Sequence, residues 1–314
     1  MSAPSDPGAA VESGDTGTFA YDFGDPDPLL SHRLGEDPLT TRATQVLPVG
    51  GRALLALSDG FFTIDGMPAF LGSPADPHGL HDQLAAAGMT PPRMPVGAFL
   101  WPGEQNVLVD AGFGPRSGGG GLIVGGELPR NMAKHGLGFA DIHVVALSHL
   151  HPDHTGWVAH PDGSPVFPRA RLVIGRRDWD YFVDGDEADM QIEDHLRCAL
   201  NDLAERSQVD LIDGEVQLAP GLTRLDGSGH TPGHSLYLVE NGGERALLFG
   251  DAMYCPQQLT EVDWEASSDV DPAAAKRTRE RYLRELDDEG GWALGCHFPG
   301  LRAGRVLNGT WLPN

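Results

Sequence analysis

Short apolar runs separated by Gly- and Pro-rich breaks dominate this chain, and more of them read as strands than as helices. Residues 52–57 are apolar after Arg52 and end at Ser58-Asp59-Gly60, which predicts a strand closing at a turn there. Residues 96–101 and 106–109 predict a hairpin across Pro102-Gly103-Glu104-Gln105. Residues 142–147 and 172–174 are apolar almost without alternation, the pattern of strands covered on both faces. Further strands are predicted at Val209–Ile212, 223–226, 235–240, 245–249 and 292–296.

Helices fall between these strands. Residues 125–136 predict a short helix closed by Gly136. Arg176–Phe182 and residues 192–206 predict two more. Asp271-Pro272 is a helix start, an Asp cap followed by Pro at the first helical position. Tyr282, Leu283 and Leu286 then give that helix one apolar face. No repeat and no linker interrupts the middle of the chain. The simplest organisation is a single domain over residues 46–314. An arm over residues 1–45, rich in Pro, Gly, Ser and Asp, is expected to be flexible or loosely docked.

Composition narrows the partners. The chain has 314 residues, enough for a substantial core. No run approaches the roughly 18 apolar residues that span a bilayer, and the N-terminus has neither a basic nor an apolar signal region. The three cysteines, Cys198, Cys255 and Cys296, have no framework spacing, which fits a reducing compartment and a cytoplasmic protein. A net charge of −23 argues against nucleic acid and anionic membranes as partners. A small neutral or apolar substrate fits it better. A homodimer with the arm wrapped round a partner subunit stays open.

The chemistry concentrates in His149-Leu150-His151-Pro152-Asp153-His154, directly after the run at 142–147. Imidazole plus carboxylate suits zinc and its first-row neighbours. His149 and His151 are two apart, so an extended backbone points them the same way. Asp153 and His154 follow where the chain must turn and can face a second ion. Four more segments end strands in ligand types: Asp110 after Val107–Val109, His230 in Gly229-His230-Thr231-Pro232-Gly233-His234, Asp251 after 247–250, and His297 in Gly295-Cys296-His297-Phe298-Pro299-Gly300. Each is weak alone; together they point to a two-metal site. Cys296 is expected to point away from it, because a strand would turn it to the face opposite His297.

In this order the segments resemble the metallo-β-lactamase superfamily, from Asp110 to Gly300. The resemblance implies an α+β fold, a four-layer αββα sandwich of two mixed β-sheets flanked by helices, with metals at one edge. It implies that His149, His151 and His230 hold one metal, that Asp153, His154 and His297 hold the second, and that Asp251 bridges them. The cofactor expected is two divalent ions per chain, zinc by ligand type. Two such ions can share a hydroxide near neutral pH, so no protein nucleophile is required. Asp110 is expected either to accept a hydrogen bond from a ligand imidazole or to hold its loop, with a purely structural turn as the other reading, and His234 to be structural or to sit behind the ligands.

Tyr254, three residues after Asp251, resembles a tyrosine beside the metals of N-acyl homoserine lactonases, where its hydroxyl contacts a substrate oxygen. A packing tyrosine is the other reading. The remaining features, such as Leu57-Ser58-Asp59-Gly60 and His297-Phe298-Pro299-Gly300, resemble the branch joining those lactonases with methyl-parathion-hydrolase-like enzymes. The function expected is a dinuclear metal-dependent lactonase or esterase, with Tyr254 on the oxyanion and Asp153 handing a proton to the leaving alkoxide. The alternatives are a phosphotriester hydrolase of the same fold and, from another class, a mono-iron oxidoreductase like the persulfide dioxygenases. Phe61, Phe62, Met67, Phe70 and Leu71 form an expected apolar loop over the pocket, with Leu122, Ile123 and Val124.

Overall fold

Strands with aliphatic side chains on both faces need a covering layer on each, and the fold supplies both. A computed structural model describes residues 20–21, 44–67, 69–86, 88, 92–118, 123–185, 192–307 and 310–314. Most of the arm and Leu122 lie outside these residues.

Leu54 and Ala56 lie on the inner face of the strand Arg52–Thr63, with Leu55 and Leu57 on the outer. Val109 and Ala146 are likewise inner, while Leu108 and Val145 are outer. The inner set packs on Leu222, Tyr237, Val239 and Leu248 of a second sheet. The outer set packs on Trp179 and Phe182 of the helix Arg176–Phe182 and on Leu196, Leu200 and Leu203 of Asp194–Glu205. On the far side, Leu236, Leu247 and Ala293 meet Tyr282 and Leu286 of the helix Pro272–Glu289. The layers are therefore helix, sheet, sheet, helix.

Both sheets are mixed. In the first, Val107–Val109, Val144–Ala146, Arg171–Gly175 and Val209–Ile212 run parallel, and Arg52–Thr63 and Arg93–Trp101 pair antiparallel. In the second, Glu244–Leu248 and Trp292–Leu294 run parallel. Leu222–Asp226 points the same way, because it is two antiparallel steps from Glu244–Leu248. Strands that share a direction end at the same edge. That topology gathers Asp110, His149, His230, Asp251 and His297, which follow five different strands.

Some elements depart from the sequence pattern. The strand predicted to close at Ser58-Asp59-Gly60 continues to Thr63, and the three residues form a bulge with a register shift instead of a turn. Phe61 and Phe62 therefore sit on a strand rather than a loop. The last predicted strand stops at Leu294, two residues before Cys296. The strand Thr44–Val49 begins just ahead of residue 46 and pairs with Arg52–Thr63. No helix among the described residues is long and apolar enough to cross a membrane.

Candidate metal centre

The strand Val144–Ala146 runs out into an extended stretch, and His151 caps the single-turn helix Pro152–Thr155. That turn brings Asp153 and His154 round beside His149. His149 and His151 ring centroids lie 4.6 Å apart, and His149 and His154 centroids 4.1 Å apart. His230 arrives on a turn that only glycine permits. Gly229 has φ +140, and a Cβ there would lie 2.1 Å from Ala275 N in the helix Pro272–Glu289. Asp251 follows Glu244–Leu248 in a 3-10 turn, its own N–H donating to His234 Nε2 at 3.1 Å. His234 is thus a buried brace under Asp251.

Asp251 is the centre of the cluster. Its Oδ1 lies 3.2 Å from His154 Nε2 and 3.1 Å from His297 Nε2. Its Oδ2 faces the other way, 3.9 Å from His149 Nε2 and 3.6 Å from His230 Nε2. His230 Nε2 is also 3.1 Å from His151 Nδ1. Asp153 stands at the rim, its Oδ2 3.4 Å from His297 Nε2 and 3.6 Å from His154 Nε2, with a side chain 15% exposed. Two sets of ligand atoms each fall within 4.8 Å: His149, His151, His230 and Asp251, and His154, Asp251, Cys296 and His297.

The nitrogens facing away from the centre have acceptors. His149 Nδ1 meets Ser148 Oγ at 3.0 Å, and His154 Nδ1 meets Asp110 Oδ2 at 2.9 Å. His230 Nδ1 meets Asp269 Oδ1 at 3.1 Å, and His297 Nδ1 meets the Pro95 carbonyl at 2.6 Å. Each acceptor selects the tautomer that leaves Nε2 bare toward Asp251. Asp110 adopts φ 62, unusual for a non-glycine, and also accepts from Ser148 N at 2.7 Å and Ser148 Oγ at 2.9 Å.

These inward nitrogens test whether a metal fits. The Nε2 atoms of His149, His154 and His297 are buried and have no hydrogen-bond partner. Bare, buried imidazole nitrogens around a carboxylate are a costly arrangement for protein alone and a complete ligand set for divalent cations. The charges agree. Burial pushes the His154 imidazole down, but Asp251, Asp153 and Asp110 outweigh it and raise it well above the ordinary value. Burial pushes Asp251 up, and His297 and His154 outweigh it and hold the carboxylate well below the usual range. The centre calls for positive charge, from protons or from metal.

Tyr254 is part of this centre. Its ring stacks on His297 and meets His230 edge-on at 5.7 Å. Phe70 packs edge-on against Tyr254 at 5.1 Å, and Phe62 against His297 at 5.3 Å. Met67 is 47% exposed and stands apart. Cys296 overturns its expected orientation. Its Sγ donates to Asp251 Oδ1 at 3.2 Å, because the strand has ended at Leu294 and alternation no longer applies. Burial keeps that thiol neutral. Ser268, Asp269 and Arg279 also serve the centre, and no sequence motif marks them.

Comparison with known proteins places this arrangement in context. The family model described as Metallo-beta-lactamase superfamily matches residues 91–297. An N-acyl homoserine lactonase of Bacillus sp is 28% identical over 213 residues, covering 61% of this chain and 78% of that relative. The solved structure of AidC, a dizinc quorum-quenching lactonase, aligns with TM-score 0.72 at 23% identity, covering 88% of this chain and 98% of that one. The hydrolase AbOPH, of the beta lactamase superfamily, aligns with TM-score 0.71 at 21% identity, covering 87% and 97%. At these identities the two structures speak for the fold.

Proposed function

The chain belongs to the metallo-β-lactamase superfamily, and we propose on that premise that it is a dinuclear metal-dependent hydrolase that opens lactone esters. The substrate class favoured is the N-acyl homoserine lactones on which the similar Bacillus relative is named to act. The observation that carries the reading is Asp251, whose two oxygens face separate groups of imidazoles, among them the bare inward nitrogens of His149, His154 and His297. In this reading His149, His151 and His230 would hold the first ion and His154, His297 and Asp153 the second, with Asp251 shared between them. Zinc is the proposed identity, on the nitrogen- and oxygen-rich donor set. All these residues lie within 46–314, the span proposed as one catalytic domain in a cytoplasmic protein.

When bound, the two ions supply a nucleophile from water near neutral pH and Lewis acidity toward the carbonyl oxygen. The chain's own residues do the rest. Ser148 and Asp110 fix the tautomers of His149 and His154. Burial raises the Tyr254 phenol well above its ordinary value, and its hydroxyl could donate to a developing oxyanion. In this reading Asp153 would bind through Oδ2, the oxygen nearest the His154 and His297 nitrogens, and its Oδ1 would carry a proton to the leaving alkoxide. Phe62 and Phe70 present apolar edges at the His297 and Tyr254 side, which excludes water and suits a neutral substrate.

The test is a hydrolysis panel on zinc- and manganese-loaded protein: homoserine lactones of several chain lengths, aryl esters and a phosphotriester. Lactone turnover well above the others is expected. A preference for the phosphotriester, or a single iron per chain with oxidation of a persulfide, would overturn the reading.

A further inference from the structure

His230 and Tyr254 come from different loops, yet both end on neighbouring residues of one turn. His230 Nδ1 lies 3.1 Å from Asp269 Oδ1, and the Tyr254 hydroxyl lies 3.1 Å from Ser268 Oγ. The turn is pinned on every side. Asp269 N–H donates to Ala266 O at 3.0 Å, and Ala266 N–H donates to Asp269 Oδ2 at 3.4 Å. Val270 N–H donates to His230 O at 3.0 Å, and Asp271 N–H to Gly229 O at 2.9 Å. Asp271 then caps the helix Pro272–Glu289 through Ala274 N. From that helix the fully buried Arg279 reaches Asp269 Oδ2 at 3.4 Å.

A buried ion pair is weak evidence of stability, since apolar residues of similar volume often hold a fold as well. Asp269 has a more specific task. With Oδ2 engaged by Arg279 and Ala266, Oδ1 is left as the acceptor for His230 Nδ1–H. That bond leaves Nε2 as the unprotonated nitrogen, which faces Asp251 Oδ2 and can accept from His151 Nδ1. Ser268 acts on the other side of the centre. If its hydroxyl donates to the Tyr254 oxygen, the phenol proton is free to turn toward the reacting atoms.

We propose that Ser268 and Asp269 are paired positioning residues: Asp269, anchored by Arg279, sets the tautomer and aim of His230, and Ser268 sets the direction of the Tyr254 hydroxyl. The proposal rests on the dinuclear reading of the site. It makes one turn answerable for both a metal ligand and the substrate-facing hydroxyl.

The experiment compares wild type, D269N, the double variant Asp269→Leu with Arg279→Met, S268A and S268T. The double variant removes both charges, so no uncompensated buried ion is left to unfold the protein. Zinc affinity is measured by competition with a chromophoric chelator, and the imidazole N–H protons of the loaded protein are followed by NMR. In both Asp269 variants the affinity for one of the two ions should fall about 10–100-fold, with the other ion unaffected. One downfield, exchange-protected imidazole N–H resonance should disappear in the double variant and shift with lost protection in D269N, whose amide oxygen still accepts. S268A should bind both ions normally and lose about tenfold in kcat on the best lactone with KM little changed, and S268T should restore it. Wild-type affinity for both ions in the Asp269 variants, or wild-type kcat in S268A, would overturn the proposal. If wild type binds two ions but turns over no lactone, the functional reading fails; the Asp269 arm is still decided by metal affinity, and the Ser268 arm falls with that reading. If wild type binds fewer than two, the site reading itself fails.

Discussion

The ring of Tyr254 lies flat on the ring of His297, with centroids 5.1 Å apart and planes 9° apart. A candidate metal ligand therefore serves as the platform for the candidate oxyanion donor. Phe70 and His230 also meet that ring edge-on, at 5.1 and 5.7 Å, so the ring is held by packing.

Tyr254→Phe keeps that stack and removes the hydroxyl. Turnover should drop roughly 10–1000-fold, by analogy with the loss of one oxyanion donor, while two ions remain bound. Steady-state kinetics with metal analysis checks this. An unchanged rate would return Tyr254 to a packing role.

Asp251 is shared between both groups of imidazoles. Asp251→Asn should cost metal and activity together, and His151→Ala should do the same through the first group. Metal content after gel filtration is the measurement. Two ions retained by Asp251→Asn, or full activity in metal-depleted protein, would sink the assignment.

Asp59 gives a pH signature away from the metals. Its carboxylate accepts from Gly114 N, Gly126 N, Leu128 N and Trp157 Nε1, at 3.0, 3.2, 2.8 and 2.8 Å. Burial nevertheless pushes it up from the ordinary value of 3.8 to about 7. Between those values the folded protein holds a proton that the unfolded chain has lost. This contribution is complete at low pH and fades as pH rises through the window, by up to about 1.4 kcal/mol per pH unit. Denaturant titrations at several pH values between 5 and 7 should show this slope in wild type and not in Asp59→Asn. Equal slopes would mean that the four donors keep Asp59 ionised throughout. At pH 7 the variant should be the less stable, since its amide turns donors toward donors.

Gly229→Ala probes the turn that delivers His230. The added methyl meets Ala275 N at 2.1 Å, at a backbone φ of +140 that L-residues rarely adopt. A destabilisation of about 1–3 kcal/mol is expected, together with weaker metal binding. Chemical denaturation with the chelator competition measures both. Wild-type stability would show that the helix Pro272–Glu289 can yield at Ala275.

Most of the candidate metal centre is legible in the sequence, and little of its support is. His149, His151, Asp153 and His154 stand out because a buried strand running straight into four candidate ligands within six residues has few uses besides holding metal. Asp251 and His297 stand out because apolar strands end close before them, and His230 because it lies in the Gly- and Pro-rich segment at 229–234. Asp269 and Ser268 do not, since they lie on a turn whose composition is ordinary, and only the folded chain brings them to His230 and Tyr254. Strand alternation misplaces Cys296 because the strand ends two residues before it. Ser58-Asp59-Gly60 misleads for a related reason: turn-forming residue types also form bulges, and the partner strand decides which.

His149, His151 and His154 follow a strand of the first sheet, whereas His230, Asp251 and His297 follow strands of the second. Ions held by both sets would act as cross-links that staple one half of the sandwich to the other. The three cysteines are free, so no disulfide supplies such a tether. Resistance to heat should therefore follow metal supply: stripped protein should lose its sheet-to-sheet clasp and melt earlier, and returning the ions should restore it.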